Sequence, residues 1–155
     1  MTNLSKVLEA YERGSSATLD AFGEVCQSLF EPRLMTVFGW DLASDLCTRI
    51  WSNRPDSYPV PAEKKMGPTE WGARVLHAGK PWYGLDEAAI RRAFFDYEKI
   101  LELGCGSCLS AAIKWNGQVI GAVSVLDVEG AYMPADTDQL ERMVPALVPV
   151  LLAHR

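Results

Sequence analysis

The segment Leu103-Gly104-Cys105-Gly106-Ser107-Cys108 brings two thiols and a hydroxyl together just ahead of a strand pattern. A C-x-x-C spacing serves a redox pair when a helix N-terminus lowers the first thiol's pKa. Here the pair follows a helical pattern and precedes a strand, so that help is missing. A zinc site would need two more ligands. Cys26 and Cys47 are far away without paired spacing, and His77 is single, so no metal is expected. Three readings stay open: thiols that pack or line a pocket, a Cys105/Cys108 redox pair, or Cys105 as a nucleophile. In the last, His77 would be the base and must meet the thiol in space. A histidine near a helix C-terminus also has a simpler role, against the exposed carbonyls. His154 lies at the chain end and carries no expectation.

The aromatic residues point elsewhere. Trp51, Tyr58, Trp71, Trp82 and Tyr83 fall on a strand, a loop, a helix and a short extended piece. A cage of such rings suits a flat or cationic ligand, whereas core packing is the simpler account for Trp82. Ser107, Ser110 and Ser124 place hydroxyls on otherwise apolar strands, and a buried hydroxyl needs a partner. The candidate ligand-binding set is Trp51, Tyr58, Trp71, Tyr83, Cys105, Ser107 and Ser110.

These residues must be positioned by the elements around them. Leu4, Val7, Leu8 and Tyr11 have helical spacing, ended by Gly14. Ser15 or Ser16 is expected to cap a second helix striped by Leu19, Phe22, Val25, Cys26 and Phe30. Two strands follow, Leu34 to Trp40 and Asp45 to Ser52; in the second, Cys47, Arg49 and Trp51 share a face. Four prolines in Asn53 to Pro68 predict an ordered loop or lid. A helix from Pro68 or Thr69 to Gly79 carries Trp71, Val75 and Leu76. Pro81-Trp82-Tyr83 is extended, and Asp86 to Leu103 is helical with a break near Asp96.

Cys108 to Asp127 reads as a hairpin turning at Asn116-Gly117. A two-residue loop pairs Ala112 with Gly121, Ser110 with Val123 and Cys108 with Val125. Ser110 and Ser124 then point to opposite faces, and Ser110 takes the roomier one. Neither face is polar enough to meet water, so both must be covered. Pro134-Ala135-Asp136 opens a last helix, which Pro145 and Pro149 should bend.

With 155 residues the chain is read as a single domain, 1–155, with residues 1–16 as an N-terminal helical extension. A net charge of −5 argues against nucleic acid; Arg91-Arg92 and Lys64-Lys65 read as solvated pairs. No apolar run reaches the roughly 20 residues of a membrane span. There is no signal-peptide core, and four cysteines without a disulfide pattern read as reduced, which makes cytoplasmic the default localisation.

In this order the elements resemble a GAF domain, the small-molecule sensor fold of many signalling proteins, over about Ala17 to Leu152. Ala111-Ala112-Ile113-Lys114-Trp115-Asn116-Gly117-Gln118-Val119-Ile120-Gly121-Ala122-Val123-Ser124-Val125-Leu126 resembles the family's last two central strands. Pro134-Ala135-Asp136-Thr137-Asp138-Gln139-Leu140 resembles the start of its closing helix. Gly67-Pro68-Thr69-Glu70-Trp71-Gly72 and Val75-Leu76-His77-Ala78-Gly79-Lys80-Pro81-Trp82 resemble its central helix and following strand.

The resemblance implies an α+β fold related to PAS domains, with a central antiparallel sheet. Terminal helices would cover one face, and a ligand pocket would lie under helices on the other. It implies a small organic ligand as partner and a possible homodimer through the terminal helices; the charge and the lack of a long apolar run are what set nucleic acid and membrane aside. The ligand's identity and any cofactor are left unknown, and the sequence requires none. The expected function is a small-molecule-binding sensory or regulatory domain acting through a partner protein or a dimer interface. The alternative is a small cysteine-dependent enzyme acting on an amide- or sulfoxide-like substrate, since some relatives reduce methionine sulfoxide with loop cysteines.

Overall fold

The computed structural model describes residues 4–155. Its centre is a six-stranded sheet in which every pairing is antiparallel, in the order β3-β2-β1-β6-β5-β4. The strands are β1 (Leu34–Asp41), β2 (Leu46–Ser52), β3 (Ala62–Lys65), β4 (Trp82–Gly84), β5 (Ser107–Trp115) and β6 (Gln118–Asp127). The fold is α+β, as expected, and both sheet faces are covered.

One face carries the terminal helices. α1 (Ser5–Glu9) runs into a 3-10 turn and stops at Gly14, whose φ of +95° suits glycine. α2 (Ser15–Phe30) buries Leu19, Phe22, Val25, Cys26 and Phe30, the expected stripe. No side chain caps it at Ser15 or Ser16. Gly14 is the N-cap, and the Thr18 hydroxyl donates back to the Gly14 carbonyl at 2.8 Å. At the other end of the chain, the two prolines interrupt the closing helix. α5 (Asp136–Met143) passes through a 3-10 turn into α6 (Val148–Ala153). These helices pack on Met35, Val37, Leu109, Ala111, Ile113, Val123 and Val125, the alternate residues of three central strands. Each fully buried ring or branched chain contributes roughly 1.5–3 kcal/mol to holding the layers together.

The intervening segments cover the opposite face. Residues 72–77 form a π-helix, wider than the ordinary helix expected there, with Ala78 N–H bonded five residues back to the Ala73 carbonyl at 3.0 Å. The break near Asp96 separates α3 (Glu87–Ala93) from α4 (Tyr97–Glu102). Asp86 caps α3 by accepting from Ala89 N–H at 2.9 Å. The proline-rich segment is irregular only in part, because Ala62–Lys65 forms edge strand β3 against β2.

Two irregularities change the face assignments made from sequence. Asn116 and Gly117 have φ of +53° and +74°, which supports the expected tight turn. Beyond it, Lys114 pairs with Val119 but Ile113 pairs with Gly121, leaving Ile120 as an extra residue. The pairs are therefore Ala112 with Ala122, Ser110 with Ser124 and Cys108 with Leu126, not those of a regular ladder. Gly121 permits this because a Cβ there would run into the Phe38 carbonyl and Leu151. A second bulge lies in β2. Val37 pairs with Trp51 and Phe38 with Arg49, so Ile50 is the extra residue. Arg49 keeps the face of Cys47, while Trp51 is turned to the other.

Candidate functional site

A cavity of about 40 Å³ lies between the non-terminal face of the sheet and the segments above it. Its floor comes from alternate residues of the two central strands: Leu34, Thr36 and Phe38 of β1, and Ser124 and Leu126 of β6. Arg49 of β2 and Lys64 of β3 form one rim. Met66, Thr69 and Trp71 form a wall. Ala93, Phe94 and Ile100 close the roof, while Tyr58, Phe95 and Asp96 close the side.

Tyr58 belongs to the loop that leaves β2. Asn53 anchors the loop's start, accepting from Met35 N–H at 2.7 Å and donating to the Pro32 carbonyl at 3.3 Å. The Tyr58 phenol donates to Asp96 Oδ2 at 2.9 Å, tying the loop to the start of α4. The Arg49 guanidinium lies 4.7 Å from the Tyr58 ring centre and the Lys99 ammonium 4.6 Å from it. Burial, then the Asp96 charge, pushes the phenol's pKa up, so Tyr58 stays a donor.

Beneath the wall runs a buried polar chain. Trp71 Nε1–H donates to Ser110 Oγ at 2.8 Å, and the Ser110 and Ser124 hydroxyl oxygens are 2.7 Å apart. Cys108 Sγ lies 3.6 Å from Ser110 Oγ. Ser110 accepts from Trp71 and has one proton to give. If it goes to Ser124, the Ser124 proton is left for the cavity. If it goes to Cys108, Ser124 donates to Ser110 and its lone pairs face the cavity. Either way Ser124 keeps one hydrogen-bonding function for whatever sits there.

The sequence-derived candidates divide between the two faces. Tyr58 and Trp71 line the cavity, Ser110 reaches it through Ser124, and Cys105 belongs to the same buried cluster. Trp51 and Tyr83 do not join them. The β2 bulge turns Trp51 onto α2, where its ring covers Gly23 and its Nε1–H donates to Asp20 at 2.9 Å. Tyr83 packs with the terminal-helix core and donates to the Tyr132 carbonyl at 2.9 Å. Ser107 is satisfied at the sheet end by the Val128 carbonyl, at 2.8 Å. Trp82 is packed edge-on against Phe94, as a core residue.

Both thiols of the C-x-x-C are free and buried. Cys105 and Cys108 are 1% and 0% exposed, and burial pushes their pKa values up to about 11 and about 12. His77 packs edge-on against Trp40 in a groove with Lys114, Gly117 and Gln118 at the hairpin tip. Cys105 precedes the other end of β5, so the strand's length separates the two. Among the described residues no group of three His, Cys, Asp or Glu side chains could hold a metal ion.

Sequence reasoning missed Arg49, Thr36, Lys64 and Ser124 as lining residues. Lys64 is solvent-exposed, in line with its reading as a solvated residue, and also reaches the cavity's rim. A signal existed for Arg49, a charged residue sharing a strand face with a buried cysteine.

No protein-family model matches the chain, and no curated protein matches its sequence. Solved structures match its shape. The GAF domain of an Acinetobacter phosphoenolpyruvate-protein phosphotransferase aligns over 99% of this chain and 95% of that one, with a TM-score of 0.75 and 14% identity. A GAF domain/HD domain protein from Geobacter sulfurreducens covers 90% and 93%, with a TM-score of 0.72 and 13% identity. A free methionine-R-sulfoxide reductase from Neisseria meningitidis, in complex with its substrate, covers 96% and 84%, with a TM-score of 0.71 and 15% identity. With its sheet order, its terminal helices on one face and its cavity on the other, the chain has the fold of GAF domains.

Proposed function

We propose that this domain binds a small organic molecule in the cavity under Tyr58 and Trp71 and passes its presence to a partner protein or a second copy. The observation that carries this reading is the cavity itself, set into an otherwise packed cluster. It exceeds the roughly 10–15 Å³ that one water needs. Its mostly apolar walls, with Arg49, Tyr58, Asp96 and Ser124 among a few convergent polar groups, support a binding site over a packing fault. The loop over it is held at its tip by the Tyr58–Asp96 hydrogen bond, so a ligand that shifts Tyr58 also acts on α4. Leu8 and Tyr11, 51% and 37% exposed near the N-terminus, give the terminal-helix layer an apolar surface for a partner.

The cysteine-dependent alternative draws support from the likeness to the reductase fold. Against it stand two buried thiols held protonated and a histidine at the far end of β5. Native mass spectrometry of freshly purified protein tests the binding reading. A small mass that is released on denaturation, and unaffected by Cys105→Ser, is expected. A covalent adduct that disappears in Cys105→Ser would favour thiol chemistry instead.

A further inference from the structure

The cavity carries an unbalanced cation. Arg49 Nε is buried and has no hydrogen-bond partner, although Arg49 Nη1 donates to the Pro59 carbonyl at 3.0 Å. A guanidinium cannot shed its charge by deprotonating. An orphaned N–H on one is therefore an unfilled requirement for an acceptor, and an anionic acceptor fills it best. Lys64 lines the same rim. The one carboxylate in the lining, Asp96, is engaged by the Tyr58 hydroxyl and lies on the side that Lys99 also approaches. The lining is thus more positive than negative, in a chain whose net charge is −5.

Opposite the rim, the floor offers the uncommitted hydrogen-bonding function of Ser124, and Leu34, Leu126, Phe94 and Ile100 supply apolar surface. We propose that the ligand is a short-chain carboxylate. Its carboxylate accepts from Arg49 Nε, and its hydrocarbon body sits over Leu34 and Leu126. The volume of about 40 Å³, small beside the roughly 150 Å³ of a cavity that takes benzene, keeps the ligand to a few heavy atoms. This assignment rests on the binding reading above and specifies its ligand class.

Titration of propionate, propionamide and n-propylamine into the intact protein tests it. Affinity is read by calorimetry and location by the indole N–H resonance of Trp71. Propionate should bind about tenfold or more tightly than the isosteric propionamide, the range expected of a charge-assisted hydrogen bond. Arg49→Gln should erase that preference, and Arg49→Lys should keep part of it. Equal binding of propionate and propionamide, or an unchanged preference in Arg49→Gln, overturns the proposal. Should Arg49→Gln fail to fold, the comparison on the unaltered protein decides alone. If propionamide or the amine moves Trp71 and propionate does not, the carboxylate assignment fails while the pocket stands. If none of the three moves Trp71, the carboxylate assignment fails; should neutral probes such as n-propanol also leave it unmoved, the pocket reading fails with it.

Discussion

Ser110 and Ser124 face each other across β5 and β6 with their hydroxyl oxygens 2.7 Å apart, and Ser110 also accepts the indole N–H of Trp71. A regular hairpin ladder would have put these serines on opposite faces. The extra residue at Ile120 shifts the register and builds the polar floor of the cavity.

Removing either hydroxyl should have unequal effects. Ser110→Ala strands the buried Trp71 N–H and should cost about 1–3 kcal/mol, whereas Ser124→Ala leaves Ser110 able to satisfy Trp71 and should cost about 0.5–1.5 kcal/mol. Urea unfolding of both variants measures this. A larger loss for Ser124→Ala would contradict the order of the chain.

Filling the cavity separates binding from folding. Ala93 is 1% exposed in the roof, and Ala93→Leu puts three more carbons into or beside the space. Stability should change by no more than about 1–3 kcal/mol, the usual range for added core volume. Affinity for any cavity ligand should fall at least about tenfold, as its contacts are displaced. Calorimetry beside thermal unfolding reads both, and full retention of binding would place the ligand elsewhere.

The loop latch gives a dynamic prediction. Tyr58→Phe keeps the ring between Arg49 and Lys99 but loses the bond to Asp96, at a cost of about 0.5–1.5 kcal/mol. Amide hydrogen exchange should quicken across residues 53–61 and the start of α4, with β5 and β6 unchanged. Uniform quickening would mean that Tyr58 is only a core residue.

Trp51 shows what the sequence could and could not reveal. Alternation along β2 assigns it the face of Cys47 and Arg49, which is sound for a regular strand. The bulge at Ile50 reverses it, and nothing local marks that bulge, because it answers to packing against β1 and α2. The elements themselves were legible from the helical stripes, the Asn116-Gly117 turn and the prolines. The register beyond Ile113 was not, although Gly121 gave a hint in a strand with no other reason for a glycine. Tyr58 and Trp71 were recoverable as large aromatics in a loop and a helix. Ser124 became visible only when its strand was correctly paired.

That placement of Trp51 predicts a change of sign. Gly23 lies inside α2, where alanine would gain about 1 kcal/mol of helix propensity. A Cβ there would sit 2.5 Å from the Trp51 ring, which Asp20 holds by a hydrogen bond. Gly23→Ala should therefore be neutral to destabilising alone and stabilising by about 1 kcal/mol in a Trp51→Ala background. Absence of coupling in this double-mutant cycle would remove Trp51 from the α2 interface.

The buried thiols give a prediction for alkaline pH. Cys105 and Cys108 have folded pKa values raised by burial to about 11 and about 12, above the ordinary 9.0. A raised pKa stabilises the folded state below pH 9 and withdraws that stability as pH rises towards the folded values, because the unfolded chain then holds fewer protons. Unfolding midpoints should fall above about pH 9. At pH 8, iodoacetamide should modify both thiols in the folded protein far more slowly than free cysteine. Rapid modification of Cys105 would instead revive the nucleophile reading.

The most direct test of the ligand-binding claim uses the five tryptophan indole N–H resonances as reporters while small water-soluble metabolites are added. A cavity ligand should shift the Trp71 resonance saturably and leave Trp51 and Trp115 in place, since those rings lie on α2 and at the hairpin tip. A library in which no compound moves Trp71, or in which every binder moves Trp51 or Trp115 instead, would contradict a small-molecule site at this cavity.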